Sequence, residues 1–269
     1  MVSDFLTPGG RLRAPSHITD QELAKKGLRR NAAELLEYGS GNYWTGERMV
    51  RQTMDIAITI FELAYPPSHF KALFIFDNSS NHRIMADDAL NVNKMNMGPG
   101  GKQPNMRRGW HSTPADVHEL SDGLGRPKGI KRVLQERSLW PPAGLRLSCA
   151  AKEHNGNSCC ARKVLASQPD FQAQVGLLRE GIDKQGQGHI ALFLPKFHPE
   201  LNFIEYFWGA TKRYARANCD YTLGGLRATV PKALESVPAS TANKFFPRTL
   251  RITDAYNEGH VIGTAQYTV

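Results

Sequence analysis

Long apolar runs are missing from this chain of 269 residues. None approaches the roughly 18 residues of a membrane helix, so no membrane partner is expected. Asp4 interrupts any apolar region at the N-terminus, and no signal peptide is expected. Cysteine is scarce. The four, with Cys159 and Cys160 adjacent, make a poor disulfide framework for a chain this long and point to a reducing, intracellular compartment. Gly98-Pro99-Gly100-Gly101-Lys102 lacks the spacing of a phosphate-binding loop and the Ser or Thr after its Lys, so no small-molecule cofactor is expected. Negative charge is also in deficit: 25 Asp and Glu stand against 34 Lys and Arg, a net charge of +9. That excess favours a polyanionic partner.

The basic excess is uneven. Lys102–Arg146 holds nine Lys or Arg and four Asp or Glu, nine minus four giving +5 of the total. Ahead of it, regular elements follow closely. Val2–Leu6 reads as a strand, Pro8-Gly9-Gly10 as a turn, Arg11–Ala14 as a returning strand and Leu35–Trp44 as a third. Thr45 suits a helix cap, and Met49, Val50, Met54, Ala57, Ile58, Phe61 and Tyr65 recur at helical spacing until Pro66-Pro67 ends the run. Lys71–Phe76 reads as a buried strand, and the next regular strand comes only at His189–Leu194. The stretch between is far longer than an ordinary loop. It reads as an insertion with short helices over Lys128–Arg137 and Ala161–Ser167. Beyond Glu205 the chain is helical, with further helical pattern over Leu223–Val237 and Thr241–Tyr256, interrupted by Pro231 and Pro247. The expected divisions are 1–82, 83–188 (the insertion), 189–258 and a tail over 259–269.

Two carboxylates sit where chemistry can use them. Asp77 ends an apolar strand, and Glu205 opens a helix just beyond another. A buried strand and a helix delivering one acid each is what a phosphate-cutting metal site requires. Each has a plainer reading, Asp77 as a turn residue and Glu205 as a first-turn acid favoured by the helix dipole. His82 and His198 lie near these acids and could orient a phosphate or a water, or serve as hydrogen-bonded structural histidines. Cys149, His154, Cys159 and Cys160 fall within twelve residues, a thiolate and imidazole set that suits structural Zn²⁺, with buried thiols as the alternative.

The motifs FDNSSNH (Phe76–His82), NYWTGERMVRQT (Asn42–Thr53), RPKGIKRVLQERSLWP (Arg126–Pro141), CCARKVLASQPDF (Cys159–Phe171) and KFHPELNFIEYFWGATKRYARANCDYT (Lys196–Thr222) resemble those of mariner-type DDE endonucleases, especially a group common in fungal genomes. The resemblance covers most of the chain, and its last motif is the most specific. It implies an α/β protein of RNase H-like fold: a mixed five-stranded sheet flanked by helices, with a long irregular basic insertion before the last core strand. It implies Asp4, Asp77 and Glu205 as the three catalytic acids, 73 and 128 residues apart, holding Mg²⁺ or Mn²⁺, two ions in all. It implies metal-dependent cleavage of DNA phosphodiesters and 3′-OH strand transfer, a nuclear location and action as a homodimer on DNA ends. Lys128, Lys131, Arg132, Lys212, Arg213 and Arg216 are the candidate phosphate contacts.

That group carries helix-turn-helix domains upstream, for which the three residues before Asp4 leave no room; sequence-specific end binding is expected to be weak or absent. Two other readings compete. One is a non-catalytic or domesticated remnant that keeps the fold and binds DNA nonspecifically. The other is a different RNase H-like nuclease.

Overall fold

The computed structural model describes residues 1–37, 39, 42–150, 156 and 158–260. The chain is mixed α/β and forms two compact units, Met1–Ile84 with Leu177–Val269, and Met85–Gly176.

The first unit opens with short strands: β1 (Val2–Ser3), β2 (Leu6–Thr7) and β3 (Gly10–Arg11). β2 and β3 make an antiparallel hairpin about Pro8 and Gly9, extended by the Leu12 N–H donating to the Phe5 carbonyl at 2.8 Å. Gly10 has φ +120°, where a side chain would be strained. Helix α1 (Asp20–Lys25) starts at a capping box in which Thr19 and Glu22 satisfy each other's backbone N–H groups. β4 (Glu34–Leu35) pairs antiparallel with β1. A helix then runs over 46–64 as α2 (Gly46–Arg51), a π-helical stretch at Gln52–Ala57, and α3 (Ile58–Ala64). Thr45 caps it as its sequence predicts, its hydroxyl accepting from the Arg48 N–H at 3.3 Å. Strand β5 (Leu73–Phe76) follows.

The second unit is mostly irregular. A two-stranded antiparallel ladder joins β6 (Gly109–Trp110) and β7 (Val117–His118). Helices α4 (Ile130–Glu136), α5 (Ala161–Ala166) and α6 (Pro169–Ala173) enclose a core of Met95, Ile130, Val133, Leu134, Leu165 and Phe171. Polar groups lie inside this unit too. The Arg137 guanidinium clasps both oxygens of Asp170 at 2.9 and 2.7 Å, and Asp170 also accepts the Trp110 N–H. Both charged side chains are almost fully buried, which the fork-to-carboxylate geometry makes tolerable.

The chain rejoins the first unit at α7 (Leu177–Lys184), whose Leu177 N–H donates to the Ile84 carbonyl at 2.7 Å. The expected insertion over 83–188 included this helix; it belongs instead with the first unit. Strand β8 (Ile190–Phe193) pairs parallel to β5 in the register Phe76 to Phe193. His189, buried just before it, accepts the Ala72 N–H at 3.0 Å and meets Glu62 of α3 at 3.1 Å, tying the strand pair to the long helix. The strands and helices share a core of Leu12, Met49, Ile58, Phe74, Phe76 and Ile182. Four helices complete the unit: α8 (Ile204–Asn218), α9 (Leu223–Glu235), α10 (Ala239–Ala242) and α11 (Phe245–Asn257). Pro231 lies within α9 without ending it. Pro247 lies in the first turn of α11, where no N–H is needed, rather than interrupting a helix. No helix among the described residues is long and apolar enough to cross a membrane.

The expected five-stranded sheet is not present: among the described residues every sheet has two strands. Beside Asp4, whose carboxylate accepts the Phe5 N–H at 2.8 Å, the N-terminal strands pair with each other and with β4 rather than with β5. Phe5 meets Phe74 of β5 through its ring, edge to face at 6.1 Å between centroids. A cleft of about 610 Å³ lies between this N-terminal segment and β5. The expected third strand is reduced to β4, and Tyr38 within it lies outside the described residues.

Candidate functional site

The alternation of β5 turns Phe74 and Phe76 into the core and releases the chain at Asp77. The parallel partner β8 ends beside it. From there a single 3₁₀ turn at Pro199–Leu201 leads to buried Asn202. The Asn202 carbonyl accepts the Glu205 N–H at 3.0 Å and its side-chain oxygen accepts the Ile204 N–H at 3.4 Å. Asn202 therefore sets where α8 begins and puts Glu205 in its first turn. One acid thus stands at the carboxyl end of β5 and the other in the first turn of the helix that follows its parallel partner β8, on the side of the strand pair where open α/β sheets present ligand sites.

The surroundings of the two acids differ. The Asp77 carboxylate meets His82 Nδ1 at 2.6 Å and accepts the Ser79 N–H at 3.0 Å. The hydrogen bond from His82, working against burial, holds Asp77 down to about 2. Glu205 is pushed the other way. Burial raises it, Lys212 one face along α8 partly offsets this, and the charge on Asp77 raises it further. The two carboxylates are therefore close enough to repel.

Asp4 lines the same cleft but is held apart. Its Oδ2 meets Arg11 Nε at 2.6 Å, with both side chains buried. Burial raises its carboxyl above the ordinary range, and Arg11 opposes the shift. Among the described residues no three acids bring their oxygens within 4.8 Å of one another. All three acids thus line one cleft; the charge of Asp77 reaches Glu205, while Asp4 is bound to Arg11.

Of the two histidines, His82 serves Asp77. His198 pairs with Glu200 at 2.8 Å and packs edge to face on Tyr256 of α11, which makes it an anchor for that helix. Trp208 packs against buried Phe207. The candidate basic contacts divide. Lys128 is only 8% exposed, and its ammonium donates to Glu136 at 2.7 Å, so its charge is turned inward. Arg132 shares Glu136 at 3.1 Å, and Lys131 lies over the Trp140 ring at 5.6 Å. Lys212, Arg213 and Arg216 are exposed on α8 and form no ion pair among the described residues. Cys149, Cys159 and Cys160 come together; His154 lies outside the described residues.

Two positioning residues escaped the sequence reading. Asn202 stands two residues before Ile204, the spacing at which an Asn side chain accepts a following backbone N–H in a turn. Arg11 was reachable from the Pro8-Gly9-Gly10 turn, since a hairpin there returns Arg11 alongside the strand that carries Asp4. Compared with protein-family models, with curated proteins and with solved structures, the chain matches none.

Proposed function

We propose that this chain is the catalytic core of a mariner-type DDE endonuclease, an RNase H-like nuclease that cuts DNA phosphodiesters and transfers 3′-OH ends, acting in the nucleus as a homodimer. The observation that carries the reading is the placement of Asp77, after β5, and Glu205, in the first turn of α8, on one cleft. Two mutually repelling carboxylates form a hard oxygen donor set that Mg²⁺ or Mn²⁺ would relieve. Asp4, paired and buried, does not join that set in this conformation.

Such a cation supplies charge neutralisation at the scissile phosphate and a more acidic attacking water. The chain's own part is positioning. His82 fixes the orientation of Asp77, Asn202 fixes the first turn of α8 under Glu205, and Lys212, Arg213 and Arg216 offer positive charge along the same helix for a phosphate backbone.

One observation favours the remnant reading. The buried Asp4–Arg11 pair withholds the third acid, and a protein in which it never opens would bind DNA without cutting it.

Nicking of supercoiled plasmid with Mg²⁺ or Mn²⁺, compared with Asp77→Ala and Glu205→Ala, tests both. Metal-dependent nicking lost in both variants is the expected result. Binding without nicking, with the fold retained, selects the remnant.

A further inference from the structure

Three thiols in the second unit have no part in that chemistry. The backbone gathers them. The N–H groups of Ala161 and Arg162 donate to the carbonyls of Arg146 and Leu147 at 3.0 and 3.1 Å, which lays the segment ending at Cys149 against the start of α5. There Cys160 is the residue before the helix and is completely buried, with Ala161 and Leu165 beneath it in the core. The sulfur atoms of Cys149, Cys159 and Cys160 all lie within 4.8 Å of one another, and those of Cys149 and Cys159 are 3.3 Å apart.

No disulfide joins them, and 3.3 Å is well beyond the ~2.05 Å of a sulfur–sulfur bond. Thiolates bound tetrahedrally at ~2.3 Å from Zn²⁺ sit about 3.8 Å from one another. The three sulfurs, 3.3 Å apart for Cys149 and Cys159 and all within 4.8 Å, bracket the spacing of one face of such a tetrahedron.

We propose that Cys149, Cys159 and Cys160 form a structural Zn²⁺ site that pins the irregular chain after α4 to the start of α5, with the fourth position open to water or a further donor.

Thiolates select Zn²⁺ over Mg²⁺, so this site does not compete for the hard cation proposed at Asp77 and Glu205.

The test is Co²⁺ titration of the full chain, reduced and stripped with chelator, followed by Zn²⁺ displacement. The expected result is thiolate-to-cobalt charge-transfer absorption that saturates at a single ion per chain and is bleached by Zn²⁺. Cys149→Ser and Cys159→Ser should each weaken binding by more than the ~10–100-fold that loss of an outer-shell partner costs. Cys219→Ser, altering the cysteine that follows α8, should leave it unchanged. Because a variant at buried Cys160 could fail to fold, alkylation of the unaltered protein supplies the second measurement: Zn²⁺ should protect Cys149, Cys159 and Cys160 but not Cys219. Absent charge-transfer absorption, an unchanged titration in Cys149→Ser, or a Cys149–Cys159 disulfide forming equally fast with and without Zn²⁺ would each overturn the proposal.

Discussion

At the scale of single residues, the decisive contact is Asp4 with Arg11. Removing one partner of a buried ion pair leaves the other uncompensated, at a cost of about 3–5 kcal/mol. Arg11→Ala should therefore destabilise the first unit by that order, and Asp4→Asn by less, since Arg11 keeps its second partner, Glu235. The double change Asp4→Asn with Arg11→Ala should recover part of the loss, as urea unfolding would show. Asp77 follows a different rule. Its folded value of about 2 lies below its ordinary 3.8, so its stabilising contribution is complete above about pH 4 and drains away as pH falls toward 2. With its side chain 51% exposed, solvent screening keeps that contribution under about 1 kcal/mol. His82→Ala should move the Asp77 titration up toward its ordinary value, read by carboxyl NMR. An unmoved titration would show that the His82 contact does not hold that charge.

At the scale of elements, the helix over 46–64 shows how packing overrides propensity. Replacing a glycine in a helix interior by alanine normally gains about 1 kcal/mol, and at Gly46, the first helical residue after the Thr45 cap, the gain is smaller. At Gly46, a Cβ would lie 2.8 Å from the Asn81 carbonyl oxygen and closer still to the Ile84 side chain. Overpacking costs about 1–3 kcal/mol, so Gly46→Ala should lower stability despite better propensity; a raised urea midpoint would count against this packing. The same comparison explains what could be read from the sequence. The spacing of Met49, Ala57 and Ile58, the cap at Thr45, and the runs that became β5 and β8 were visible because each is set by local pattern. So were the positions of Asp77 and Glu205 at the ends of their elements. The pairing of β1 was not, since periodicity says which residues face a core and not which strand lies alongside. Nor was the hydrogen bond from the Phe5 N–H to the Asp4 carboxylate. In the second unit, Lys128 read as part of a basic face because its neighbours are basic; only Glu136, two turns along, shows why it points inward.

At the scale of the whole molecule, a net charge of +9 makes attraction to DNA easy and uninformative unless particular cations are separated from the total. Salt dependence separates them. Each phosphate neutralised releases counterions, and the slope of log K against log salt changes by about 0.9 per contact on duplex DNA. If Lys212, Arg213 and Arg216 lie against the backbone, replacing all three by Ala should flatten the slope by up to ~2.7 and weaken binding similarly for any sequence. Lys128→Ala should behave otherwise. Its ammonium is committed to Glu136 and its side chain is largely covered, so the loss should appear in unfolding and leave the salt slope unchanged. Fluorescence anisotropy of a labelled duplex at several salt concentrations makes both comparisons. A flatter slope for Lys128→Ala, or no change for the triple variant, would move the DNA contact away from α8. It would also remove the reason for placing a phosphate backbone beside Glu205, and with it much of the case that Asp77 and Glu205 act on DNA.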